Sequence, residues 1–261
     1  MIETRGFVTA TRAKTADEGE IRRFAEDLGL SYIPRENRSL DTLKSEHAAD
    51  WIIVWEPEGP VLIRDGTRFF YHPSMAKNRI AGIRQGREDL MIKAMGLGSG
   101  MSVLDCTLGL GADALVAAYI AGPEGEVTGL EGSRVVAGIV RWGAKLYRKG
   151  PGWLQDVIPR LQVIWSDHLA YLKLLPDRAF DIVYFDPMFR QPIHESNAIA
   201  PVRGLARPEA VTPEAIREAA RVARRRVVMK ERCGSSEFER LGFQQVTAGT
   251  QSLIAYGTQE V

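Results

Sequence analysis

The chain is poor in cysteine: Cys106 and Cys233 are the two it has in 261 residues. So distant a pair builds no disulfide framework and matches no metal-ligand spacing, so a reducing cytoplasm is the expected setting and no metal is expected. No apolar run approaches the roughly 20 residues of a membrane-spanning helix. The opening Met1-Ile2-Glu3-Thr4-Arg5 lacks the apolar core of a secretory signal. An excess of one charge is missing as well: 34 Lys and Arg face 33 Asp and Glu, a net charge of +1. No global field draws the chain to nucleic acid, so any such binding must rest on local patches. What remains, 45% hydrophobic and 26% charged residues, is an ordinary globular composition. The length allows one large domain or a core domain with a smaller partner.

The most informative stretch is Val103-Leu104-Asp105-Cys106-Thr107-Leu108-Gly109-Leu110-Gly111-Ala112-Asp113. It reads as a buried strand, a Gly-rich turn and the start of a helix over Ala112 to Ala121. Gly109 and Gly111 let the backbone turn tightly and approach a ligand with no Cβ in the way. The turn does not complete a dinucleotide fingerprint, because Ala114 stands at the third glycine position. It is not a Walker loop either, because no Gly-Lys-Ser/Thr follows. Instead there is an acid before the turn, Asp105, an acid after it, Asp113, and Glu131 at the end of the next strand, Glu126 to Glu131. An acid-rich turn without a phosphate cradle suits a nucleoside that carries positive charge, with Glu131 placed to hold a ribose diol. S-adenosylmethionine, a sulfonium with an α-amino group, fits that description.

Residues 1 to 85 precede this pattern and are expected to form a small α+β domain, possessing a helix over Asp17 to Leu28 closed by Gly29 and a strongly apolar strand Trp51 to Trp55. Asp65-Gly66, between Val61 to Arg64 and Thr67 to Tyr71, is a hairpin signal. Trp51 and Trp55 are expected in the core. Lys77, Arg79, Arg84 and Arg87 form a basic cluster, read either as a solvated helix face or as phosphate contacts.

From residue 86 to 261 helices and strands alternate, which predicts a doubly wound, mostly parallel sheet. The third strand, Leu161 to Trp165, ends in Ser166-Asp167-His168. Asp167 is placed either to accept from an adenine amino group or to cap the following helix. The fourth strand, Phe180 to Phe185, ends in Asp186-Pro187-Met188-Phe189. An exocyclic amine on a base is a poor nucleophile because its lone pair is delocalised into the ring. The Asp186 carboxylate and the Pro187 carbonyl can hold such an amine so that the lone pair points at a methyl donor, while Phe189 offers a stacking face. Arg190 to Ala210 is aperiodic and reads as a lid or binding loop. Thr212-Pro213 starts a helix running to Val222. Arg221, Arg224, Arg225 and Arg226 then form a knot that suits helix C-termini somewhat better than RNA phosphates. A terminal hairpin completes the sheet.

With these motifs placed, the chain resembles the class I S-adenosylmethionine-dependent methyltransferases, Rossmann-like in fold. More narrowly, it resembles the bacterial small-subunit rRNA guanine-N2 methyltransferases. The resemblance rests on Phe70 to Lys77, Val103 to Asp113, Gly129 to Glu131 and Tyr184 to Phe189. It implies that Asp105, Gly109 and Gly111 line the methionine side, Glu131 the ribose and Asp167 the adenine. Thr107, Asp113, Gly132, His168 and Asp186 complete the implied cofactor set. Asp186, Pro187 and Phe189 are the implied catalytic residues, and His72, Ser74, Lys77, Arg79 and Met188 the substrate contacts. Two departures stand out: Met188 where amino-methyltransferases commonly have a second proline, and Lys230-Glu231-Arg232-Cys233 after the fifth strand, where the family tends to have a lysine followed by a basic, proline-containing segment. RNA is the implied partner. Competing readings are methylation of another amine in tRNA, DNA or protein, a nucleotide-dependent oxidoreductase, and a noncatalytic RNA-binding module.

Overall fold

The computed structural model describes residues 5–11, 17–187, 210–243, 245–249 and 252–261. In chain order the elements are β1 (Gly6–Ala10), α1 (Glu18–Leu28), α2 (Leu40–Glu46), β2 (Trp51–Glu56), β3 (Gly59–Arg64), β4 (Thr67–Phe70), α3 (Ser74–Arg84), α4 (Leu90–Met95), β5 (Ser102–Asp105), α5 (Ala112–Ala121) and β6 (Glu126–Glu131). There follow α6 (Arg134–Leu146), α7 (Gly152–Val157), β7 (Leu161–Trp165), α8 (His168–Leu174), β8 (Phe180–Phe185), α9 (Pro213–Val222), β9 (Ala223–Arg232), α10 (Glu237–Arg240), β10 (Gln245–Ala248) and β11 (Ile254–Glu260). These elements form two compact units, one holding the described residues up to His72 together with Arg134–Lys149, the other holding the rest.

The first unit is a four-stranded sheet ordered β1-β2-β3-β4, with β1 parallel to β2 and the others antiparallel. Asp65 and Gly66 form the two-residue hairpin turn between β3 and β4, both with positive φ, 48° and 73°. Trp51 and Trp55 are buried. The Trp55 ring meets Phe24 and Trp142 edge-on at 5.2 and 5.6 Å. Asp27 seats α6 against α1: its carboxylate accepts from Trp142 Nε1 and from Arg141, each at 2.9 Å.

The second unit is a seven-stranded sheet ordered β10-β11-β9-β8-β5-β6-β7. The pairs β5–β6, β6–β7, β5–β8 and β8–β9 are parallel, while β11 runs antiparallel to β9 and β10. This is the doubly wound, mostly parallel sheet expected. Parallel strands are covered on both faces, so they read as near-continuous apolar runs, as Val103-Leu104 and Ile182 to Phe185 do. Helix α5 is apolar almost all round, with Ala114 to Ala118 buried. The chain runs outward from β5 through β6 and β7, then returns to place β8 on the other side of β5. The carboxyl ends of β5 and β8 therefore flank a topological switch point, where open α/β sheets bind ligands.

Two arginines of the basic knot do meet helix C-termini. Arg221 donates to Leu172 O and Leu175 O at the end of α8, each at 2.9 Å, and Arg226 donates to Ala94 O in the last turn of α4 at 2.8 Å. Arg224 to Arg226 lie inside β9, which begins earlier than the apolar run suggests. Thr212 caps α9 by accepting from Ala215 N at 3.1 Å, with Pro213 at the first helical position. Replacing Thr212 by Ala leaves that N–H without its cap and is expected to cost about 1 kcal/mol, read as a lower urea midpoint with an unchanged slope.

Candidate functional site

The site residues converge at the carboxyl ends of β5, β6 and β8, and their placement follows from strand register. Tyr184 on β8 pairs with Asp105 on β5, and Phe185 on β8 pairs with Met229 on β9. One residue further along, Asp186 leaves β8 beside Lys230, whose Nζ lies 2.7 Å from Asp186 Oδ2. The same ammonium lies 3.1 Å from Asp113 Oδ2. Asp113, in the first turn of α5, also accepts from Tyr184 OH at 2.7 Å, and its other oxygen pairs with Arg79 Nη1. Arg79 is fixed from behind by Asp89, whose two oxygens take its Nε and Nη2 at 2.8 and 2.9 Å. Thr107 ties the two strand ends together: its Oγ1 accepts from Asp186 N at 2.5 Å, and its N–H donates to Asp105 Oδ1 at 2.9 Å.

The electrostatics of the three aspartates differ. Burial would raise Asp113, but Lys230, Arg79 and the Tyr184 hydroxyl outweigh it and hold the carboxyl down at about 2. For Asp186 burial wins: Lys230 is its one cation, Asp113 is a like charge, and its carboxyl is held above the ordinary carboxylate range. Lys230 serves both carboxyls, and the second cation and the phenol settle its proton balance in favour of Asp113. Asp105 is fully buried, no cation pairs with it among the described residues, and burial pushes its carboxyl up to about 8. Glu131, also buried, is raised by burial against the hydrogen bonds it accepts from Ser133 N at 2.8 Å and Gly109 N at 3.1 Å.

The glycine turn leaves room. Gly109 and Gly111 have φ of 52° and 74°, a region that side chains avoid, and a Cβ on Gly109 would meet nothing within 4 Å. A buried carboxyl, a second carboxyl with oxygen lone pairs to spare for hydroxyls, and open space over the turn fit an amino-acid ammonium and a ribose diol.

The structure thus brings together Asp105, Thr107, Gly109, Gly111, Asp113, Glu131 and Asp186. Gly132 follows Glu131, and its carbonyl accepts from Trp165 Nε1 at 3.2 Å. Asp167 caps α8, accepting from Ala170 N at 2.8 Å, and the His168 ring meets Phe185 edge-on at 5.7 Å. Pro187 ends the described part of this segment; Met188, Phe189 and the aperiodic stretch up to residue 209 lie outside the described residues. Ser74 and Lys77 are exposed near the start of α3, while His72 belongs to the first unit, its ring 5.4 Å from Phe70. Arg79 corrects its expectation. It is no free phosphate contact, because its guanidinium is committed to Asp89 and Asp113. Lys230 was not among the expected site residues, although a lysine following the buried run Val227 to Met229 was the signal that could have found it.

Between the ordinary carboxyl value and about 8, the folded chain keeps a proton on Asp105 that the unfolded chain has lost. Stability therefore falls as pH rises through that window. Replacing Asp105 by Asn removes this slope. The ligand-free variant is expected to be more stable than the parent at pH 8 by roughly 1–3 kcal/mol, and the gap should narrow at pH 5 in paired urea titrations.

Comparison with known proteins follows the geometry. The family described as "Putative SAM-dependent methyltransferase" matches residues 69–240. The Bacillus subtilis protein named "Uncharacterized protein YpiP" is 36% identical over 236 residues, 90% of this chain and 91% of that one. Ribosomal RNA small subunit methyltransferase J of Coxiella burnetii is 31% identical over 194 residues, 69% of this chain and 72% of that protein. The crystal structure of the SAM-dependent methyltransferase NGO1261 from Neisseria gonorrhoeae shares the fold, with a TM-score of 0.62 at 18% identity over 98% of this chain and 96% of its own. A sheet that switches direction between two acid-tipped strands, and a family match across most of that sheet, lead to one conclusion: the chain belongs to the class I S-adenosylmethionine-dependent methyltransferases, and S-adenosylmethionine is its cofactor.

Proposed function

We propose that this methyltransferase acts on an exocyclic amine of RNA, namely guanine N2 in small-subunit rRNA, in the cytoplasm. One observation carries the reading. Asp186, at the end of β8, has one carboxylate oxygen taken by Lys230, and among the described residues its other oxygen has no donor. A carboxylate only accepts hydrogen bonds, and guanine offers donors at both N1 and N2. The rRNA methyltransferase relative at 31% identity supports RNA as the substrate.

When bound, S-adenosylmethionine supplies an electrophilic methyl group and departs as the neutral thioether. The protein's part is positional. Asp105 receives the amino-acid ammonium, Glu131 and Gly132 the ribose, and Asp167 with His168 the adenine, while Asp113 anchors the turn through Arg79 and Lys230. Thr107 fixes the Asp186 backbone. Asp186 and the Pro187 carbonyl would hold the amine with its nitrogen lone pair facing the methyl group. The proton the amine sheds passes to Asp186 or to water. Phe189 is assigned to stacking the base, and Met188, His72, Ser74 and Lys77 to contacts with it. The small N-terminal domain, residues 1–85, is read as substrate-contacting, beside the methyltransferase domain of residues 86–261.

Incubation of the protein with methyl-labelled cofactor and unmodified small ribosomal subunits, rRNA, tRNA, DNA or protein tests this, with nucleosides identified by mass spectrometry. N2-methylguanosine from rRNA or the subunit is expected, and label on any other amine overturns the substrate. Asp186→Ala should bind cofactor like the parent yet lose transfer by roughly 10²-fold or more. Glu131→Ala should weaken cofactor binding by about 1–3 kcal/mol in calorimetry. RNA affinity should fall with added salt. Charge removal at Lys77, Arg84 and Arg87, which are exposed, should flatten that slope, unlike removal at the committed Arg79.

A further inference from the structure

We infer that Lys230 is a positioning residue for the transfer: held in place by Asp113, its ammonium takes Oδ2 of Asp186 and turns the remaining oxygen into the acceptor for the substrate amine. This rests on the proposed role of Asp186 and says how that role is made possible.

The reasoning starts from the surroundings of Asp186. It emerges between two other buried carboxyls, Asp105 at the end of β5 and Asp113 on α5, with the Tyr184 hydroxyl below on β8. Burial and like charge both favour the neutral acid there. A neutral Asp186 would share its proton with Asp113 and would offer the amine only an uncharged, weaker acceptor. Lys230 on β9 is the one cation bonded to Asp186, at 2.7 Å. It is also held: Asp113 takes a second ammonium hydrogen at 3.1 Å, and Arg79 and Tyr184 fix Asp113 in turn. Tyr256 on β11, its phenol raised to about 12 by burial, lies near enough to feel Asp113, Lys230 and Arg79, and it stays neutral at working pH. A lysine fixed on two sides cannot swing to another partner, so it orients the carboxylate as well as charging it.

The same geometry rules out a role for Lys230 as a base. Both of its carboxylate neighbours keep the ammonium protonated, and its pKa lies above the ordinary lysine value. It gives up no proton during the transfer, and its contribution is charge and direction.

The test uses the full chain in four forms: parent, Lys230→Met, Lys230→Arg, and the double variant Asp113→Asn with Lys230→Met. The double variant removes one buried cation together with one buried anion, so the site keeps its charge balance, and Arg79 keeps Asp89. Two readouts are taken. One is the titration of the Asp186 carboxyl by carbon NMR on aspartate-labelled protein, with the resonance assigned by its loss in Asp186→Asn. The other is kcat, KM and cofactor affinity against pH. Lys230→Met should titrate Asp186 at least about one pH unit higher than the parent, and the double variant, which also loses the like charge of Asp113, should shift it less. Both methionine variants should lose kcat by roughly 10²-fold, and Lys230→Met should retain cofactor affinity and show the rising limb of kcat moved up with the carboxyl. Lys230→Arg should recover most of the turnover and the parental titration. An Asp186 midpoint that stays put in Lys230→Met overturns the inference. So does activity that falls only in step with cofactor affinity and melting temperature, with the pH profile unmoved, which is what a purely structural lysine would give. Should the parent methylate an amine other than guanine N2, the substrate reading fails, while the comparison among variants runs on that acceptor. The carboxyl titration needs no acceptor at all.

Discussion

The carboxyl end of the large sheet depends on one ammonium group shared by two buried carboxylates. Lys230 joins Asp113 on α5 to Asp186 at the end of β8, and through Asp113 it reaches Arg79 on α3 and Tyr184 within β8. Four elements are thereby tied together at one point. A buried ion cluster of this kind is poor value for stability alone, because desolvation consumes most of the Coulombic gain and a well-packed apolar replacement often does as well. What the cluster supplies is geometry. The pairing of Phe185 with Met229 sets Asp186 beside Lys230, so a slip of one residue between β8 and β9 would separate the carboxylate from its cation.

The division of labour among the acids follows from how many cations each has. Asp113 has two and a phenol, and it is a fixed anion. Asp186 has half of one, and its charge is conditional. Asp105 is bonded to none among the described residues, feels Lys230 only at a distance, and is raised by burial. Three carboxyls of one residue type, within one crevice, thus run from permanently charged to nearly neutral, as sites with divided acid–base duties do.

Much of this was legible in the sequence because the underlying signals are local. Apolar runs marked the parallel strands, acids directly after them marked Asp105, Glu131 and Asp186, and two glycines marked the turn. The hairpin at Asp65-Gly66 and the cap at Thr212 were equally local. The residues misjudged or missed act across distance. Arg79 looked like a member of the basic cluster by proximity in the chain. Yet at roughly 100° per helical residue, it points well away from Lys77 and Arg84, which lie seven apart and share a face. Lys230 sits on a strand buried on both faces, where alternation carries no information about which way a side chain points. The helix carbonyls met by Arg221 and Arg226 lie 46 to 132 residues away in the chain, beyond any motif.

The charge of the site also explains why an incomplete glycine fingerprint meant a different ligand rather than a degraded one. A nicotinamide dinucleotide brings a pyrophosphate to the first βα turn, where helix N–H groups and an absence of nearby acids welcome it. Here that turn is bounded by Asp105 and Asp113, with Glu131 bonded to the Gly109 N–H itself. A phosphate would face carboxylates on both sides and would lose one of the turn's own donors to Glu131. An ammonium and a sulfonium gain from the same arrangement, because a buried carboxyl such as Asp105 gains most from a cationic partner. The acids that weaken the ligand-free fold are therefore the ones that select a cationic cofactor, and the family to which the chain belongs uses one.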